Sequence, residues 1–206
     1  MSVFAGLADL DVSRETLQRL EIYAALVRKW NPVINLVARS TLDHLWPRHF
    51  ADSAQLYRLA GQASGRWADL GSGGGFPGLV IAILAQGEGR DLQVTLVESD
   101  QRKAAFLMAA ARETEVRVEV LSRRIEGLPP LGAQILSARA LAPLDKLLDH
   151  AARHMHPDGM ALFPKGQAHP AEIRQALEMW RFLYETIPSL TDEAAVVLKI
   201  RNITRV

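Results

Sequence analysis

Asp69, Gly71, Gly73 and Gly75 stand at alternate positions in the stretch "ADLGSGGGFPG", residues 68–78. Glycine lacks a β-carbon and tolerates positive φ, so such a backbone can turn its N–H groups onto a ligand pressed against it. An acid two residues ahead of the first glycine adds an acceptor at the same place. The run fits two patterns. Gly73, Gly75 and Gly78 match G-x-G-x-x-G, the pyrophosphate turn of dinucleotide enzymes. A run this rich in glycine satisfies many patterns, however, and the second register starts at the acid: Asp69-x-Gly71-x-Gly73-x-Gly75. Glu98 closes the strand-like run "LQVTLVES". A carboxylate there can accept both hydroxyls of a ribose, whichever nucleoside ligand carries it.

Other chemistries lack their residues. No P-loop lysine follows the glycines, and G-x-S-x-G is absent although Ser72 lies between Gly71 and Gly73, so neither triphosphate hydrolysis nor a hydrolase elbow fits. His150 and His154 are four apart on one expected helix, with His156 beyond. No carboxylate motif accompanies them, and a helix end favours cations through its dipole; no metal is expected. Cysteine is absent, which excludes disulfides and thiolate metal sites and suggests a reducing compartment.

These residues need elements to position them. The chain has 206 residues, 49% of them hydrophobic, enough for one domain with an appendage at roughly 100–200 residues per domain. "SRETLQRLEIYAALVRKWNP" spaces Leu17, Leu20, Ala24, Val27 and Trp30 as a helix, with Ser13 as N-cap and Pro32 ending it. Ser40 and Asp43 resemble a capping box, and "RHFADSAQLYRLA" is a further helix. "GQASG" is a joint. From residue 63 strands and helices alternate: "RWADL", "PGLVIAILAQ" with Pro77 at its first turn, "LQVTLVES", "DQRKAAFLMAAARET" with Ser99 or Asp100 as a cap, "VRVEVL", "AQILSARA", "PLDKLLDHAARHMH", "GMALFPKG" after a "PDG" turn, and "PAEIRQALEMW". "FLYETI" and "AAVVLKIR" follow with no helix between them. The pattern predicts a doubly wound, mostly parallel, Rossmann-like α/β sheet with an antiparallel final strand at its edge. Residues 1–62 form an N-terminal helical extension and residues 63–206 the ligand-binding domain. Ligands of such sheets bind beyond the carboxyl ends of the strands, where Arg139 and Lys165 also lie. Residues 61–100 carry two Lys/Arg against five Asp/Glu, and residues 101–206 fifteen against twelve, so any basic face for nucleic acid must be assembled in three dimensions. The start "MSVFAGLADLDVSRE" suits no signal peptide, and no run of about 18 apolar residues suggests a membrane span. A cytoplasmic location is expected.

The acid-first register resembles the first motif of class I S-adenosylmethionine-dependent methyltransferases, whose ligand carries a free ammonium and no pyrophosphate. The resemblance extends further. "DLGSGGGFPG", "ESDQRKAAFL", "SRRIEGLP", "SARALAPL" and "FPKG", with "KWNPVINL" and "RHFADSAQL" ahead of them, look like the RsmG (GidB) family over about residues 20–200. That family methylates N7 of a guanine in 16S ribosomal RNA. The resemblance implies S-adenosyl-L-methionine held by Asp69, Gly71, Ser72, Gly73, Gly75, Phe76, Pro77, Glu98, Arg124, Ile125, Glu126 and Arg139, with adenine at Arg124–Glu126. "SRRIEG" has an extra arginine, so Arg123 or Arg124 can fill the family's single position; Arg124 directly precedes the Ile-Glu pair. Arg139, beside the expected methyl, is the candidate catalytic residue by positioning. Arg48, His49, Arg139 and Lys165 are candidate RNA contacts, although His49 and Asp52, one helical turn apart, can also simply pair on the helix surface. The implied partner is 16S ribosomal RNA or the small subunit, met by a monomer without metal or membrane. A class I methyltransferase for a small molecule or protein is the alternative. Guanine N7 has an in-plane lone pair and no proton, so no general base is needed.

Overall fold

The computed structural model describes residues 12–206. Helix α1 (Arg14–Ile34) opens on Ser13, whose hydroxyl accepts the Thr16 N–H at 3.2 Å and so satisfies one of the N–H groups every helix start leaves unpaired. The helix does not stop at Pro32, as the sequence suggested. Proline removes one helical hydrogen bond, but Pro32 lies on the exposed side of the last turn, where water can replace it. Asn31 ends the helix instead. Its carbonyl accepts from Asn35, which has φ of 48°, and its buried side-chain oxygen accepts the Val37 N–H at 2.8 Å. A short 3-10 turn (Arg39–Thr41) without a side-chain cap stands where Ser40 and Asp43 were expected to form a capping box. A π-helical turn (Trp46–Ala51) then runs directly into α2 (Asp52–Leu59).

Strands β1 (Gly65–Leu70), β2 (Leu92–Val97), β3 (Val118–Leu121), β4 (Ala133–Ala138), β5 (Met155–Lys165), β6 (Trp180–Pro188) and β7 (Val196–Arg205) form one sheet in the order β3-β2-β1-β4-β5-β7-β6. The first five are parallel, and β7 runs antiparallel to both β5 and β6. The final antiparallel pair is therefore present, but β7 is an interior strand and β6 forms the edge on that side. Helices α3 (Gly78–Gly87), α4 (Gln101–Glu113), α5 (Leu144–His154) and α6 (His169–Ala176) connect the strands. The "PDG" expected as a turn lies within β5, where pairing with β4 jumps from Ala133↔Met155 to Ile135↔Met160; a bulge absorbs the proline and glycine. Strand order reverses between β1 and β4, which opens a crevice at their carboxyl ends.

Helix α3 is apolar on every side and buried from Gly78 through Ala85. Such a helix needs cover on both faces. The sheet covers one. The N-terminal helices cover the other, since Leu20, Tyr23, Val27, Phe50 and Leu56 share one core cluster with Trp67, Leu79, Ile81, Leu96 and Phe106. The helices before residue 63 thus help close the core of the α/β sheet. Tyr23 sits at the join. Its ring lies 5.3 Å from Phe50 and 5.1 Å from Phe76, and its hydroxyl donates to the carbonyl of Gly74. Leaving a buried acceptor unpaired costs about 1–3 kcal/mol. Tyr23→Phe should lower unfolding free energy by about that amount, read as a reduced urea midpoint at unchanged slope; an unchanged midpoint would mean the hydroxyl does not brace the loop.

Candidate active site

The glycine loop leaves β1 through backbone conformations closed to most side chains. Gly71 has φ of +65° and Gly73 of +56°. A β-carbon on Gly71 would also lie 2.6 Å from Leu141 Cδ1. The loop is tied below by Ser72 N–H to Val97 O at 3.0 Å and Gly75 N–H to Ser72 O at 2.7 Å. Asp69 has no exposed surface. Its carboxylate accepts the Ser137 hydroxyl at 2.7 Å and the Gly78 N–H at 3.1 Å, and Trp67 Nε1 donates to that hydroxyl at 2.9 Å. Asp69 therefore lies beneath the loop, holding the start of α3, and lines neither cavity at this edge of the sheet. Ser72, Gly75, Phe76 and Pro77 are likewise buried, and none of these five residues lines either cavity.

A cavity of about 600 Å³ opens above the loop, lined by Gly71, Gly73, Glu98, Ser99, Arg123, Arg124, Ile125 and Glu126. That volume suits a nucleoside-sized ligand. Glu98 is nearly buried; Oε2 accepts the Gly73 N–H and Oε1 the Asp100 N–H, both at 2.8 Å. Each carboxylate oxygen keeps a further lone pair, so one side chain can fix the loop and still accept a vicinal diol. Asp100 faces away and caps α4, accepting the Arg102 N–H at 2.8 Å and the Lys103 N–H at 3.2 Å. Both arginines of "SRRIEG" reach the cavity, and Ile125 opens a 3-10 turn (Ile125–Gly127) with its side chain buried. Lys103, Lys146 and the segment Ala140–Ala142 also line this cavity. Sequence reasoning passed over them, because only the fold brings α4, α5 and the turn after β4 together.

A second cavity, of about 630 Å³, gathers Arg48, His49, Arg139 and Lys165. Arg139, grouped in the sequence with the cofactor contacts, lines this cavity and not the first. Its guanidinium donates to Asp52 Oδ2 at 3.1 Å and to His49 Nδ1 at 2.9 Å, and stacks 5.3 Å from the centre of the Phe76 ring. A guanidinium cannot accept. His49 must therefore carry its proton on Nε2, which faces Thr41 Oγ1 at 2.8 Å. Burial, and then the charges of Arg139 and Arg48, push the His49 pKa down to about 3, so the ring is neutral. His49 and Asp52 do not pair with each other; both turn to Arg139. Arg48 pairs with Asp192 at 3.2 Å at the exposed rim. Lys165, expected as an RNA contact, is buried: its ammonium lies 2.7 Å from Glu172 Oε2 and 2.9 Å from the carbonyl of Ala142. Each of these three cations thus already has a carboxylate partner. The two cavities meet along one wall, Ala140, Leu141 and Ala142. The three histidines of α5 and β5 separate: His150 lines the first cavity, His154 is buried, and His156 sits 3.8 Å from Asp158. No group of three metal-binding side chains occurs among the described residues.

A sheet in this order, with β7 inserted antiparallel and an acid–glycine loop after β1, is the fold of the class I methyltransferases. Among solved structures it resembles an S-adenosylmethionine-dependent methyltransferase from Aquifex aeolicus, with a TM-score of 0.59 at 16% identity over 86% of this chain and 97% of that one. Residues 16–198 match the model of the GidB family, rRNA small subunit methyltransferase G. Ribosomal RNA small subunit methyltransferase G of Ruegeria pomeroyi is 55% identical over 197 residues, 96% of each chain, and that of a further Ruegeria species is 50% identical over the full length of both. The chain belongs to this family.

A buried carboxyl and a partly buried imidazole give opposite pH dependences. Burial pushes the Asp69 carboxyl from its ordinary 3.8 up to about 6, against the lowering by the Ser137 hydroxyl. Its contribution to stability is therefore present below about 4 and lost as pH rises through 6. His49, lowered from 6.5 to about 3, contributes fully above 6.5 and loses that contribution as pH falls toward 3. His49→Gln removes the second effect only. Between pH 6.5 and 4 its unfolding free energy should fall less steeply on acidification than the parent's; parallel curves would contradict the neutral, partly buried ring.

Proposed function

We propose that the chain transfers a methyl group from S-adenosyl-L-methionine to N7 of a guanine in 16S ribosomal RNA of the small subunit. The observation that carries this reading is the shared wall Ala140–Ala142, with a nucleoside-sized cavity on one side and a neutralised second cavity on the other. In the first, Glu98 accepts the ribose hydroxyls, the bare backbone of Gly71 and Gly73 borders the methionine part, and Arg124, Ile125 and Glu126 border the adenine. Asp69, Ser72, Gly75, Phe76 and Pro77 act on the cofactor through the loop they support. Bound there, the cofactor supplies an electrophilic methyl on a sulfonium.

The second cavity takes the guanine. Its N7 attacks with an existing lone pair, so the protein's task is alignment rather than proton transfer. The neutral His49 ring and the Asp52-paired Arg139 suit a site where positive charge moves from sulfur to purine, because an uncompensated cation would oppose both ends of that path. Arg139 is the positioning residue here, with Arg48 and His49 at the RNA side. Lys103, Arg124 and Lys146, which make no side-chain hydrogen bond or ion pair among the described residues, are available to phosphates around the first cavity. A base must leave its stack to reach N7 alignment, so a loop or opened helix is the form of RNA taken. In this reading the protein works as a monomer in the cytoplasm.

With methyl-labelled cofactor and undermethylated small subunits, label should appear in 16S RNA as N7-methylguanosine. Label in protein or small molecules alone would overturn the substrate. Glu98→Ala should weaken binding of the demethylated cofactor about ten- to a hundredfold, the equivalent of a charge-assisted hydrogen bond of about 1.5–3 kcal/mol. An unchanged dissociation constant by calorimetry would remove Glu98 from the ribose site.

A further inference from the structure

The wall between the two cavities has no regular structure of its own. Ala140 has φ of +52°, a left-handed conformation uncommon for a residue with a β-carbon. Leu141 lies against the bare face of Gly71, its Cδ1 2.6 Å from where a β-carbon there would stand. A strained segment persists only where its surroundings hold it. The hold comes from the neighbouring strand and the helix after it. Lys165, the last residue of β5, donates from Nζ to the carbonyl of Ala142 at 2.9 Å and to Glu172 Oε2 at 2.7 Å. The same Glu172 oxygen accepts the N–H of Leu144, the first residue of α5, at 2.8 Å. One ion pair from β5 and α6 thus grips the chain on both sides of Pro143. The side chains are 8% and 24% exposed, too buried for either charge to be left alone without penalty.

We propose that Lys165 and Glu172 are positioning residues that hold Ala140–Ala142 at the junction of the two cavities, beside the path of the methyl, and that Lys165 acts through this segment and not by gripping an RNA phosphate. This rests on the methyltransferase reading above. It also distinguishes Lys165 from Arg48, which pairs at the exposed rim.

The experiment compares Lys165→Met, Glu172→Gln and the double variant with the parent. Three quantities are read: single-turnover methylation of undermethylated small subunits, subunit affinity across a salt series, and thermal melting. Misplacement of about 1 Å near reacting atoms can slow a reaction about a hundredfold. Both single variants should therefore methylate about ten- to a hundredfold more slowly, with the parent's salt slope. The double variant should lose less than the product of the two single losses, because either change alone releases the segment. An RNA contact would behave otherwise. Lys165→Met would then make the salt slope shallower by about 0.7–0.9, while Glu172→Gln, freeing the ammonium, would keep or raise subunit affinity. Either of those results, or independent multiplication of the two rate losses, would overturn the proposal. If Lys165→Met melts below the assay temperature, Glu172→Gln keeps the test, since glutamine retains an acceptor for the Leu144 N–H. The parent's own labelling separates the two claims. If the parent leaves 16S RNA unlabelled, the functional reading fails. If it labels RNA and both variants match its rate, this inference alone fails.

Discussion

A carboxylate with no access to water organises the crevice. Asp69 cannot be buried ionised without strong donors, and it has two from different elements: the Ser137 hydroxyl on β4 and the Gly78 N–H at the start of α3. That second bond forces glycine at 78, where a β-carbon would stand 2.3 Å from Leu96 Cδ2 and 2.8 Å from Asp69 Oδ2. The helix therefore begins hard against the strand. The loop between is drawn into a tight arch whose lower side is filled by protein and whose upper side is backbone alone. The acid shapes the arch, and Glu98, tied to Gly73 from the end of the adjacent strand, is the carboxylate that reaches the cavity.

The N-terminal helices complete this arrangement from the opposite side. Tyr23 holds the carbonyl of Gly74, and a β-carbon on Gly74 would lie 3.0 Å from the carbonyl of Leu36. The same segment supplies His49 and Asp52 to Arg139, and Gln55 and Asp52 to the turn between β6 and β7 through Leu190 N–H and Thr191 Oγ1. One stretch of chain thus seals the core over α3, braces the glycine loop and furnishes a wall of the second cavity. The partly buried Arg139–Asp52 pair can hold geometry in a way the exposed Arg48–Asp192 pair cannot, since surface pairs are worth only about 0–1 kcal/mol.

Local chemistry was legible in the sequence, and long-range pairing was not. The glycine run, Glu98 at a strand end, Ser13 and Asp100 as caps, and the alternation of strands and helices each follow from a few adjacent residues. The parallel sheet and its antiparallel last strand followed from them. Which face a residue serves did not. Asp69 and Gly71 are two apart and would share a face in a continued strand, yet the turn that begins at Gly71 sends one under the loop and the other over it. His49 and Asp52 looked like a helix-surface pair because nothing nearby in sequence names Arg139, some ninety residues on, as their common partner. Lys165 read as a free cation because Glu172 meets it only after the chain turns from β5 into α6. Pro32 and the "PDG" of β5 read as breaks, but an exposed last turn and a bulge absorb them.

The central claim is that the two cavities are the two halves of one reaction site, divided by Ala140–Ala142. A crystal structure with S-adenosylhomocysteine bound tests it most directly. The account predicts the ribose hydroxyls on Glu98, the adenine beside Ile125, and the sulfur aimed past the edge of the Ala140–Ala142 wall into the cavity that holds His49 and Arg139. A ligand whose ribose lies away from Glu98, or whose sulfur points to open solvent with the wall behind it, would contradict it.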